Sequence, residues 1–161
     1  MQGTLGRLTT TFARNGRVEW IGVRPDRRVE MEVLDRANIR AEGLEGDRRT
    51  APGKRAVSLI QWEHLPVIAS LMGWHKVEPA LLRRNIAVSG INLLGLRKAR
   101  FRLGGAVLQG TGLCAPCSRM EENLGRGGYS AVRGHGGITA EVLEAGTIAL
   151  SDDLTPTDTE D

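Results

Sequence analysis

The chain has 161 residues, 40% of them hydrophobic and 25% charged, with a net charge of +3. That is the profile of one globular domain with enough chain to bury a core without disulfide staples. No apolar run approaches the ~18 residues of a membrane span. The N-terminus lacks the charged, then apolar, then small-residue order of a signal peptide, so the expected setting is cytoplasmic with no membrane partner. Aromatic residues are only 4% of the chain and interleave with no basic block, which argues against a nucleic-acid partner.

The net charge hides an asymmetry. From Ser151 onward the chain carries Asp152, Asp153, Asp158, Glu160 and Asp161 and no basic residue, so residues 1–150 hold 22 basic against 14 acidic side chains. Lys54, Lys76 and Lys98 are the only lysines; the other basic residues are arginine. Arginine is the better planar, bidentate partner for phosphate and carboxylate, and an anionic ligand is a working hypothesis. A base composition that favours Arg codons accounts for the same bias.

Alternation of apolar and polar residues predicts an opening hairpin from 18–23 and 28–34, turned at Pro25-Asp26. Residues 37–41 extend a sheet, and 42–47 form a loop punctuated by Gly43 and Gly46. A strand at 55–60 precedes a helix over 62–72, with Pro66 tolerated in its first turn and Gly73 as its stop. A helical turn starts at Glu78-Pro79, a strand covers 85–89, and 100–103 with 106–109 make a pair turned at glycine. A helix is predicted from Ser118 to Leu124, and a closing hairpin from 138–143 and 147–150, split at Ala145-Gly146. Many short strands with one or two modest helices indicate a mainly β chain of α+β class, a β-barrel or a closed mixed sheet. The domain is expected to span residues 1–154. The acidic residues 155–161 are expected to form a flexible tail, so that removing residues after Asp153 leaves folding unchanged.

The two cysteines, Cys114 and Cys117, lie at the predicted strand-to-helix junction, with Arg119 two residues beyond the second. Nearby cations or a helix N-terminus favour thiolate. A zinc site would need a second ligand pair, and His64, His75 and His135 do not provide the usual spacing. A thioredoxin-like pair has the right proline but the wrong alternation of elements. The remaining chemistry is a single working thiolate that ligates a soft metal or holds a persulfide, beside two buried small hydrophobes as the bland alternative. At Arg83-Arg84-Asn85, Arg83 and Asn85 share a face if the strand begins there, which makes an anion clamp; otherwise Asn85 caps a turn. Asp47, in Gly46-Asp47-Arg48-Arg49, either serves a site or pairs with Arg48 or Arg84 to finish a loop. His135 sits in the flexible Gly134-His135-Gly136-Gly137 segment.

Taken in order, the segments 43–48, 55–60, 82–90, 94–104, 110–120 and 136–146 resemble a MOSC domain, the module named for the C-terminal part of molybdenum cofactor sulfurase. The resemblance covers about residues 22–153. It implies a pyruvate-kinase-barrel-like β-barrel and a thiolate that binds the molybdenum of the molybdenum cofactor (molybdopterin) or carries sulfur destined for it. By motif position that thiolate is Cys117, with Cys114 second. Arg83 and Asn85 match an Arg-x-Asn stretch that holds cofactor phosphate and pterin, and Asp47, Arg48 and Arg119 join the implied cofactor set. The implied function is an oxidoreductase acting on a small molecule such as an N-hydroxylated compound, with an electron-donor reductase as partner. The alternatives are a sulfur carrier served by a cysteine desulfurase, and a thiol-disulfide protein using both cysteines. Ala115 or Pro116 stands where the mitochondrial reductases of this kind carry a polar residue.

Overall fold

The computed structural model describes residues 3–49 and 51–157. Seven strands close a barrel: β1 (Gly16–Val23), β5 (Val57–Gln61), β6 (Ile86–Ser89), β7 (Arg100–Leu103), β8 (Ala106–Leu113), β9 (Ile138–Glu144) and β11 (Asp153–Pro156). Their order is β11-β7-β8-β9-β5-β6-β1, and a β11–β1 pairing completes the ring. β5 and β6 run parallel and every other neighbouring pair runs antiparallel, so the sheet is mixed. β2 (Glu32–Leu34) adds to the outer edge of β1. A second sheet, β10-β3-β4, is built from β3 (Arg36–Arg40), β4 (Gly43–Leu44) and β10 (Gly146–Ala149).

Period-two alternation sorts the core into two compartments. Leu59, Ile86, Val88 and Phe101 fill the barrel together with Ile39, Leu44 and Ile148 of the second sheet. On the same strands Ile60 and Ala87 face the other way. There they meet Leu65, Ile68 and Ala69 of α2 (His64–Met72), Met120 and Leu124 of α3 (Ser118–Leu124), and Ala131 and Val132 of α4 (Gly128–Val132). Strands buried on both faces are the usual setting of a parallel pair, and α2 is the crossover between them. A further short helix, α1 (Thr4–Thr9), buries no residue.

The mainly β barrel with short helices, expected from the sequence, is thus the architecture of the chain. Three local expectations change. The segments 138–143 and 147–150 are not a hairpin: β9 pairs with β5 and β8, whereas β10 crosses to β3 in the second sheet. Residues 37–41 belong to that second sheet. The segment around Leu154 is no loose end. Leu154 is fully buried, and β11 pairs with β1 through Asp153 and Leu154 and with β7 through Leu154, Thr155 and Pro156. Truncation after Asp153 therefore removes the strand that closes the barrel, contrary to the expectation from acidity alone. Residues 158–161 lie outside the described residues.

Candidate functional site

A cavity of about 330 Å³ opens at one end of the barrel. It lies where β1 and β8 finish and where β5, β6 and β9 begin. Eight arginines line it, with no aspartate or glutamate among the lining residues. Both cysteines line it too, from the connection between β8 and α3.

The thiols are free and differ in access: Cys114 is buried, 5% exposed, and Cys117 is exposed. Cys117 is the residue before α3, whose Met120 and Leu124 dock the helix on the barrel wall. Cys114 is held by its backbone, donating to the Gly137 carbonyl at 2.8 Å. A Cβ at Gly136 would stand 2.2 Å from the Cys114 carbonyl oxygen, and one at Gly137 (φ 89°) would stand 1.9 Å from the Leu59 oxygen. Only glycine lets the two segments approach so closely.

Arg84 ties this arrangement together. It is 7% exposed, and its guanidinium donates to the carbonyls of Gly136 (2.9 Å), Leu82 (3.1 Å), Ala115 (3.3 Å) and Cys114 (3.4 Å). Carbonyls of both segments thus fix this guanidinium at the cavity wall.

Arg83 and Asn85 do not share a face. Arg83 takes a left-handed conformation (φ 60°) and β6 begins only at Ile86, so strand alternation does not reach it. Its guanidinium donates to the carbonyls of Val29 and, at 3.4 Å, Asp26, which pins the turn after β1. Burial, then the nearby Arg119, Arg24 and Arg48, lowers its pKa, with Asp47 opposing. Asn85 is fully buried and is absent from the cavity wall. Its Oδ1 accepts from Ser58 N (3.2 Å) and Ser58 Oγ (3.3 Å), and its Nδ2 donates to Gly22 O (3.2 Å) and Asp47 Oδ1 (3.4 Å).

Asp47 also sits behind the cavity wall. Its partner is Arg24, rather than Arg48 or Arg84: Arg24 donates from its backbone (2.8 Å), Nε (3.2 Å) and Nη2 (2.9 Å). Burial alone would raise the Asp47 carboxyl, but the hydrogen bonds and charge of Arg24 outweigh it and hold the group below the usual aspartate value. Arg48 and Arg119 do line the cavity; Arg119 approaches Glu122 at 3.7 Å. Of the residues expected from the sequence, Cys114, Cys117, Arg83, Arg48 and Arg119 therefore meet at the cavity, while Asp47 and Asn85 brace it from behind. Arg24, Arg27 and Arg55 reach the wall without any signal in the sequence beyond arginine abundance. Arg49 carried only its place beside Asp47-Arg48.

His135 lies against His64, ring centroids 5.0 Å apart and edge to face. Among the described residues no three His, Cys, Asp or Glu side chains gather as a metal site, and no helix is long and apolar enough to cross a membrane.

No curated protein matches the chain. Among solved structures it is similar to the YuaD protein from Bacillus subtilis, with 21% identity and a TM-score of 0.77 over 89% of this chain and 96% of that one. It is similar also to YiiM from Escherichia coli (19%, TM-score 0.69, 89% and 71%) and to YiiM from Geobacillus stearothermophilus (15%, TM-score 0.74, 89% and 75%). At these identities the likeness shows the fold. A family model, the MOSC domain, matches residues 45–155, a range that holds both cysteines and six of the eight cavity arginines, with Arg24 and Arg27 lying before it. The chain belongs to the MOSC domain family.

Proposed function

We propose that the cavity binds the molybdenum cofactor through the Cys117 thiolate and that the protein is an oxidoreductase of small N-hydroxylated compounds, fed by an external reductase. One observation carries the reading: an exposed thiol at the edge of a cavity lined by eight arginines and no carboxylate. MOSC domains are associated with this cofactor. The residues present fit it, since thiolate suits a soft or high-valent metal and guanidinium suits a phosphate. A metal beside Cys117 has to bring its remaining donors, because no cluster of protein ligands surrounds the thiol among the described residues. A pterin dithiolene does that. When bound, the group supplies two-electron redox chemistry. Cys117 would ligate it, and Arg48 and Arg119 would balance its charge. Arg84 would hold the cysteine segment in place.

A second reading is sulfur carriage, with a persulfide on Cys117 supplied by a cysteine desulfurase. It is favoured by the contrast between an exposed Cys117 and a buried Cys114, which leaves a single sulfur open to a partner. Pterin assay and intact-mass analysis of the purified protein separate the two. The cofactor reading expects near-stoichiometric pterin that is lost in Cys117→Ser. Sulfur carriage expects an adduct of about 32 Da that is lost in the same variant and no pterin in either sample. A Cys114→Ser variant that fails as completely as Cys117→Ser would instead favour a thiol-disulfide pair.

A further inference from the structure

The eight cavity arginines divide by what they touch. Arg24, Arg83, Arg84 and Arg119 are engaged by Asp47, by backbone carbonyls or by Glu122. The side chains of Arg27, Arg48, Arg49 and Arg55 have no hydrogen-bond or ion-pair partner among the described residues. Three of these four come from one connection, between β4 and β5. Arg49 stands out, because its Nε is buried with no partner. A buried guanidinium N–H left unpaired is costly, so Arg49 is not held by partners of its own and its outer N–H groups remain open to a ligand.

Both Arg49 and Arg55 are held on a fixed backbone. The Arg49 N–H donates to Asp47 Oδ2 at 3.4 Å, beside the Arg24 pair. Near Arg55, Ala56 N donates to Gly53 O at 3.2 Å, which closes a turn. A β-bulge in β8, where the register shifts between Gly110 and Gly112, leaves Thr111 out of the ladder. Its hydroxyl meets the Lys54 carbonyl and Thr139 Oγ1 (2.8 Å), which fastens the residue before Arg55 to the barrel. The two arginines belong to one locale: a Cβ at Gly53 would lie 3.1 Å from Arg49 Nη2, so the Arg49 guanidinium lies over the turn that carries Arg55.

We propose that Arg49 and Arg55 form a phosphate subsite of the cavity, on the wall made by the β4–β5 connection, for a ligand whose reactive end meets Cys117. The inference rests on the reading of the cavity as the functional site. It moves the anion-holding role away from Arg83 and Asn85, which the protein uses to pin its own backbone and to brace the barrel. Two guanidinium forks with no competing carboxylate favour a multiply charged oxyanion over a single carboxylate.

The test is calorimetric titration of inorganic phosphate into the full chain at fixed ionic strength, with acetate in a parallel series. The subsite predicts saturable phosphate binding that weakens at least about tenfold in R49Q/R55Q, since two charge-assisted contacts are lost. It predicts unchanged binding in R100Q/R102Q, which removes the same charge from the exposed face of β7. A thermal melt at or above that of the wild type shows that R49Q/R55Q folds. No binding by the wild type, equal loss in both double variants, undiminished binding in R49Q/R55Q, or acetate binding as tight as phosphate would each overturn the proposal. Phosphate binding does not require metal, so a protein that binds phosphate through these residues yet purifies without molybdenum would keep the subsite and refute the cofactor reading.

Discussion

The Asn85 side chain makes four hydrogen bonds that join the ends of β1 and β5 to the Asp47 carboxylate, and Asp47 in turn fixes Arg24. Asn85→Ala should therefore cost about 2–3 kcal/mol in urea unfolding, because it strands the Ser58 N–H and the Gly22 carbonyl in the interior. A variant as stable as the wild type would mean that the amide is spare and free for a ligand. Asp47→Asn at neutral pH should cost about 3 kcal/mol by leaving Arg24 unpaired against the barrel. The Asp47 pKa is lower folded than unfolded, so its contribution is fully present above about pH 3.9 and is lost as pH falls through the folded value. The gap between variant and wild type should then close in strong acid, and a constant gap would contradict the ion pair. The spacing of Arg83 and Asn85 was legible in the sequence, but their directions were not. They depend on where β6 begins and on Arg83 taking a left-handed φ, which no local propensity of arginine announces. Likewise, nothing in the sequence pairs Arg24 with Asp47, because that contact needs the β1 terminus brought beside the turn after β4.

At the scale of elements, the Cys114–Cys117 connection is only as well placed as the glycines beneath it. Gly136→Ala pushes a methyl group against the Cys114 carbonyl and displaces the Arg84 contacts on the same segment. Lower thermal stability and an altered rate of Cys117 alkylation are expected together; an unchanged rate would show that the cysteine segment does not depend on this support. The histidine pair links α2 to the same loop. Burial, then repulsion from His135, holds His64 below the usual histidine value, with Glu63 opposing. The unfolded chain binds that proton more tightly, so His64 imposes no penalty above about pH 6.5 and lowers stability as pH falls below it. His64→Gln should flatten the decline in melting temperature between pH 7.5 and 5.5, and an equal decline in both proteins would place the sensitivity elsewhere. The helix at 118–124, the strand before the cysteines and the Gly73 stop were all readable from periodicity and punctuation. The split of β9 and β10 between two sheets was not, because the Ala145-Gly146 step has the composition of a hairpin turn and only long-range pairing reveals otherwise.

For the molecule as a whole, closure of the barrel sets one end as a rim on which five strand termini converge, and the arginines and cysteines gather there from segments more than 90 residues apart. Closure depends on β11. A chain stopped after Asp153 should lose cooperative unfolding, because buried Leu154 and the link between β1 and β7 go with it. Retention of a sharp transition would show that the ring tolerates an open seam. The barrel was legible as a class because many short alternating strands have few other ways to bury their faces. The last strand was hidden by its acidic, polar composition and its proline, which is tolerated at this ladder's end. The proposed function requires Cys117 and the arginine-lined cavity to hold a molybdenum cofactor. It is tested most directly by elemental analysis of protein purified from cells rich in that cofactor, beside the Cys117→Ser variant. Near-stoichiometric molybdenum is expected in the wild type, with its loss in the variant. Absence of molybdenum from both, or equal molybdenum in both, would contradict it.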